Sequence, residues 1–330
     1  MIKLDIADFP APYNNINGVK NMPISIYDIA RAGMTIGYPK LRNAILDAGL
    51  SRFIELFFRA NNYLSKENSF YKLNTLFDTL DSSEQKTISY FYGQSFTKLF
   101  AERYLDCTQV DNFVNHKGSI TFQNNGQTYI PKTQLYNTKK KPKEPDLIGI
   151  RGSDYHILEA KGYSSGFKKS EFQHAINQVS IVNSVNGQQP TTKTACYFDL
   201  SKNPFLGTIK DPDGLQSSIN VEFNKSKFIQ DYYSIFNPKL FKRRYYYLLR
   251  LNDFEFAGWF IRTRPFLNSV FFGVDMEVFT QIIENRNVEF TRKFYDLSSQ
   301  MDYISIGNDG IILLNTRQRK FNISLKRINL

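Results

Sequence analysis

The chain has 330 residues, 42% hydrophobic and 22% charged: a globular composition, too long for a single ordinary core. Its net charge of +11 points to polyanionic partners, nucleic acid before an anionic membrane surface. Two cysteines, Cys107 and Cys196, exclude a disulfide framework or a Cys-rich zinc site and are expected as buried free thiols.

The opening stretch MIKLDIADFPAPYNN lacks a basic-then-apolar leader, and no apolar run approaches membrane-spanning length. A cytoplasmic protein with no membrane partner is therefore expected. Between Asn21 and Ser65, Leu41, Ile45 and Leu46, then Phe53, Ile54, Phe57 and Phe58, recur at helical spacing. Turns fall at Ala32-Gly33 and Gly37-Tyr38-Pro39. Residues 1–80 are read as a helical N-terminal region.

A core region spans 81–224. It opens with a helix-start signal, Ser82 or Ser83 followed by Glu84 and Gln85. Ile88, Phe91, Tyr92, Phe96, Leu99 and Phe100 trace the apolar face of that helix, and Glu102 is the acid in its far interior. Two strand-like segments, GSITFQN and QTYIPKT, meet at Asn125-Gly126, a strong hairpin dipeptide. DLIGIRG and YHILEAKGY come next as two more strands across a Gly152-Ser153-Asp154 turn. KKSEFQHAINQVSIVNSVN then predicts a helix with Phe172, Ala175, Ile176, Val179 and Val182 on its core face, and KTACYFDLS another strand. Helix, strands, helix, strand is the order of a mixed α/β layer. Residues 225–330 form a basic, aromatic-rich α+β region with 17 Lys and Arg against 10 Asp and Glu.

The chemistry concentrates between Glu144 and Gly162. Glu159 and Lys161 are two positions apart, so an extended chain points both to one side. Folding the preceding strand back antiparallel brings Asp146 beside Glu159. Carboxylates that close repel unless a proton or a cation lies between them. A hard divalent cation, Mg²⁺ or Mn²⁺, takes this oxygen set, with the Ala160 carbonyl as a third ligand. The Lys161 ammonium can then orient and help deprotonate a water, and meet charge building on a phosphate. That is equipment for phosphodiester hydrolysis.

EPD followed by EAK resembles the PD-(D/E)XK nuclease superfamily, the restriction-endonuclease-like fold. The resemblance covers roughly Glu84 to Ser201. It implies a mixed sheet flanked by helices and metal-dependent cleavage of DNA, less often RNA. It makes Asp146 and Glu159 metal ligands and Lys161 the catalytic lysine. It also implies a helix glutamate near the metal, matched by Glu102, and a glutamine after the lysine, matched by Gln178 with Gln173 as a rival. Members commonly serve restriction, anti-phage defence, repair or mobile elements, and cutting both strands often calls for a homodimer. Two other readings stand beside it: a nucleic-acid-binding module without cleavage, and a nuclease toxin.

Basic stretches supply the phosphate contacts. Lys139, Lys140 and Lys141 are placed to neutralise backbone next to the site, and Lys168 and Lys169 to meet a phosphate at a helix start. Arg243 and Arg244 with Tyr245 to Tyr247 offer charge and stacking, or simply a half-buried element. His116, His156 and His174 lack metal-binding spacing, and His156 is expected to pack on the far face of its strand.

Overall fold

Asp154–Tyr163 is buried on both faces from Tyr155 to Ala160, the pattern of a strand covered from two sides. The computed structural model describes residues 1–36, 51–113, 119–124, 126–130, 144–212, 219–236, 247–251, 254–260, 270–284, 286, 288, 303–315 and 322–324. Within them this strand lies in a seven-stranded mixed sheet. In chain order the strands are β1 (Ile2–Ala7), β2 (Gly18–Met22), β3 (Gln109–Asn112), β4 (Leu147–Arg151), β5 (Asp154–Tyr163), β6 (Thr192–Asp199) and β7 (Leu206–Lys210). Across the sheet they run β2-β1-β7-β6-β5-β4-β3. β5 pairs parallel with β6 and antiparallel with β4, and β1 pairs parallel with β7.

Four helices position the site and its surroundings: α1 (Ile26–Thr35), α2 (Ser82–Tyr104), α3 (Lys169–Ser180) and α4 (Lys225–Tyr232). The architecture is mixed α/β, a large sheet flanked by helices. α2 covers one face of β5 and α3 the other. The α2 side is set by glycine. A Cβ on Gly93 would meet the Gly162 amide nitrogen at 2.6 Å, and a Cβ on Gly162 would run into the Ser89 carbonyl oxygen. Helix and strand therefore touch backbone to backbone. Phe96 packs against Phe198 and Phe205 behind this contact. Gly162→Ala is expected to cost about 1–3 kcal/mol, because neither backbone can yield as a side chain would. Urea unfolding measures it.

The helical N-terminal region expected over residues 1–80 holds helices at Ile26–Thr35 and Ser51–Asn62 but also strands. Residues 2–7 and 18–22 are strands of the main sheet, and Leu64–Glu67 pairs with Phe70–Leu73 as a hairpin. The buried-exposed alternation of Ile2 to Ala7 has period two, so one face meets the core and the other solvent. The cap of α2 also moves back one residue. Asp81, not Ser82 or Ser83, accepts from the Ser83 and Glu84 amides at 2.7 and 2.9 Å. The helix after Lys161 ends at Ser180, and Val182–Val185 is a strand.

That strand belongs to a four-stranded sheet with Ile219–Phe223, Ile120–Asn124 and Gln127–Tyr129, where the expected hairpin turns at Gly126 with φ of 76°. The C-terminal part forms a six-stranded antiparallel sheet, ordered Ile304–Ile306, Ile311–Asn315, Val270–Asp275, Phe254–Phe260, Tyr247–Leu251 and Asn322–Ser324. No helix among the described residues is long and apolar enough to cross a membrane. Both cysteines are free and buried.

Candidate active site

β4 and β5 pair as far as Leu147 with Leu158. One step beyond, the ladder gives way to side-chain chemistry. The Asp146 backbone N–H donates to a Glu159 carboxylate oxygen at 2.8 Å. Lys161 Nζ donates to the other oxygen of Glu159. Gln178, in the last turn of α3, accepts from Lys161 at 3.3 Å and donates to the Glu144 carbonyl at 3.0 Å. Asp146, Glu159, Lys161 and Gln178 thus converge at one end of two paired strands. Gln173, the rival glutamine, bonds to Asn177 on the exposed side of α3.

The orientation of Ala160 comes from strand alternation. The Tyr155 and Tyr163 carbonyls accept from residues at the two ends of β6. Odd-numbered carbonyls of β5 therefore face β6, and the Ala160 carbonyl faces the side of β4, past the point where β4 begins.

Electrostatics at this corner are unusual. Glu159 is fully buried. Burial, and then the neighbouring Asp146 charge, push its carboxyl up to about 8, although Lys161 pulls the other way. Burial lowers Lys161, but the Glu159 charge outweighs it and the ammonium is held above its ordinary range. Two carboxylates and a backbone carbonyl are the donor set of a hard divalent cation, which usually keeps waters and takes one or two protein carboxylates. Among the described residues no group of three or more His, Cys, Asp and Glu side chains gathers around a common point. Asp146 and Glu159 are the two carboxylates of this corner that could hold such an ion.

The raised Glu159 has a consequence for stability. The folded protein without metal keeps this proton to about pH 8, whereas the unfolded chain releases it near the ordinary carboxyl value of 4.5. Across that window the folded state binds the extra proton, so stability falls as pH rises. Glu159→Gln cannot titrate and is expected to remove this part of the slope. Denaturant midpoints at about pH 5 and pH 8 in EDTA compare the two proteins.

Beside these groups lies a cleft of about 610 Å³ lined by Ser82, Gln85, Lys86, Ser89, Tyr90, Lys161, Gly162, Tyr163, Ser164, Ser165 and Lys168. Lys86, Lys161 and Lys168 line it with serines and tyrosines of α2, the end of β5 and the loop after it, and no carboxylate is among the described residues of its lining. The Ser89 hydroxyl is buried, and the Tyr163 hydroxyl donates to Glu171 at 3.0 Å. Lys168 belongs to this wall; Lys169 begins α3, is exposed and is not part of it. Lys86, Ser89 and Tyr90 escaped the sequence reading. The signal that could have found them is the recurrence of Ser82, Lys86, Ser89 and Gly93 at helical spacing, one stripe along α2.

Glu102 is the correction. α2 crosses β5 at Gly93, and nine residues further along is roughly 13 Å at helical rise. There Glu102 receives both guanidinium nitrogens of Arg31, at 3.0 and 2.5 Å, in a buried pair. Its charge balances arginine, and it is not a ligand beside Asp146. His156 does pack on the α2 face, buried against Tyr13 and bonded to Thr192 at 3.0 Å; burial holds its imidazole down to about 4, neutral at physiological pH. Lys139, Lys140 and Lys141 lie outside the described residues, as do Arg243, Arg244, Tyr245, Tyr246 and His116.

No family model, curated protein or solved structure matches the chain.

Proposed function

We propose that the protein is a divalent-metal-dependent phosphodiesterase acting on nucleic acid, a nuclease of PD-(D/E)XK type. The observation that carries this reading is the convergence of Asp146, Glu159 and Lys161 at the end of β4 and β5, opening on a cleft of lysines and hydroxyls. The element order α2, β3, β4, β5, α3, β6 supports the same family, as does Gln178 bonded to Lys161. DNA is the expected substrate and Mg²⁺ or Mn²⁺ the expected ion.

Asp146 and Glu159 would hold the cation, with the Ala160 carbonyl turned to the same corner. When bound, the ion supplies positive charge against phosphate oxygens and makes water a better nucleophile at neutral pH. The chain's own groups do the rest. Lys161 orients the attacking water and offers its ammonium to charge gathering on the phosphate. Glu159 and Gln178 fix that ammonium from two sides. Lys86 and Lys168 hold the neighbouring phosphates, and the serine hydroxyls of the cleft donate to their oxygens.

Phosphate contacts of this kind make binding salt-dependent. Lys86→Ala and Lys168→Ala are each expected to lower the slope of log K against log salt by about one on duplex DNA. Fluorescence anisotropy in EDTA measures it. The reading as a whole is tested by incubating plasmid, single-stranded DNA and RNA with Mg²⁺, Mn²⁺ or EDTA. Cleavage with metal and none with EDTA supports it. Binding without cleavage under every condition favours a binding module on the same fold.

A further inference from the structure

The loop that leaves β5 carries an aromatic residue the hydrolytic site does not use. Phe167 is 47% exposed. One exposed phenylalanine is ordinary on a protein surface. Its setting is not. The residues on either side are tied to one hydroxyl: Tyr197 donates to the Gly166 carbonyl at 2.8 Å and accepts from the Lys168 amide at 3.0 Å. Gly166 takes φ of 90°, which turns the chain sharply and which a side chain resists. The Phe167 ring stands edge-on to Tyr197, centroids 4.9 Å apart, and 5.8 Å from Phe172. Tyr197 itself stacks on Tyr163 at 5.2 Å and 13°. The exposure of Phe167 is therefore built in by a clamped loop and a supporting aromatic cluster.

Its chain neighbour Lys168 is a wall of the cleft. Tyr163 and Lys168 line the cleft with Lys161, and Lys168 Nζ lies 5.6 Å over the Tyr163 ring. A strand whose phosphates rest on Lys161 and Lys168 passes the residue next to Phe167, whose ring packs on the Tyr197 that stacks on Tyr163 of the cleft. Bases of an intact duplex are already stacked on their neighbours. Only an unpaired base has a face to give.

Resting on the nucleic-acid reading above, we infer that Phe167 is a stacking platform for an unpaired base, which makes single-stranded or locally unpaired nucleic acid the preferred substrate class. The occupant is a base of the strand whose phosphate rests on Lys168. Stacking of this kind is tolerant of base identity, so the platform selects strandedness and not sequence.

The test measures binding in EDTA of two labelled single strands, one normal and one made of abasic nucleotides with the same phosphates. Phe167→Ala is expected to weaken the normal strand about tenfold and leave the abasic strand unchanged, while Phe167→Trp retains wild-type affinity for both. Unchanged abasic binding also shows that the variant is folded. Equal loss on both strands, no loss on either, or no binding of either by wild type overturns the platform. Cleavage of the normal strand with Mg²⁺ separates the two ideas. Base-dependent binding without cleavage sinks hydrolysis alone, and cleavage indifferent to Phe167 with unaltered binding sinks the platform alone.

Discussion

Replacing Lys161 by alanine is expected to lower metal-dependent cleavage by roughly 10²–10⁴-fold, the range of a positioned acid-base group. The loss should appear in kcat, because Lys86 and Lys168 line the same cleft and keep their positive charge there. Arginine should not rescue it: a guanidinium keeps its charge and gives no accessible base. Gln178→Ala is the milder companion. It removes one of two groups that fix the ammonium and leaves Glu159 in place. A loss of about tenfold is expected, with the pH dependence of kcat displaced as the Lys161 surroundings change. Steady-state rates on a fluorescent oligonucleotide give both numbers.

The second large effect concerns folding. Arg31 of α1, Lys98 and Glu102 of α2 and Asp309, in the C-terminal turn between Ile304–Ile306 and Ile311–Asn315, form a buried ionic cluster. Arg31 lies 3.6 Å and Lys98 3.2 Å from the two Asp309 oxygens, and all four side chains are almost completely buried. Tyr232 of α4 bonds to Asp309 as well, and Asn308 donates to the Glu102 carbonyl at 2.6 Å. Asp28 binds Arg103 at 3.1 Å and accepts from Ser305 at 2.6 Å. The C-terminal turn thus supplies counter-charge to helices far from it in sequence. Asp309→Ala removes one of the carboxylates balancing two buried cations and leaves Lys98 and Arg31 to Glu102, with Asp28 near Arg31. A cost of about 3–5 kcal/mol is expected, a large share of the ~5–15 kcal/mol that stabilises a domain. Urea unfolding measures it directly. Little change would mean that the C-terminal turn is not locked to α1 and α2 by charge.

How much of the site and fold was legible in the sequence differs from residue to residue. Glu159 and Lys161 were readable because strand alternation is local: two positions apart means one side. Asp146 needed one further step, an antiparallel return through a short turn, and the turn residues supplied it. Gln178 could not be separated from Gln173 by phase alone, since both lie on the same helix; the bond to Lys161 decides. Glu102 misled for a physical reason. An acid in a helix near core strands fits a ligand until its partner is known, and Arg31 lies 71 positions away. The alternation of Ile2, Leu4 and Ile6 marked a strand, but its partner is Leu206–Lys210, so no local signal could join it to the central sheet. Lys86 and Ser89 escaped because the face a helix turns to a strand depends on contacts such as Gly93 on Gly162, which involve no side chain.

We propose that Asp146 and Glu159 share one cation. Calorimetric titration of the protein with Mn²⁺ at about pH 6.5, repeated in buffers of different ionisation enthalpy, tests it most directly. A carboxyl held up to about 8 must give up its proton when metal binds. Saturable binding that releases close to one proton is expected, and that binding should be lost in Asp146→Ala and Glu159→Ala. Absence of binding, or binding untouched by either substitution, would contradict it.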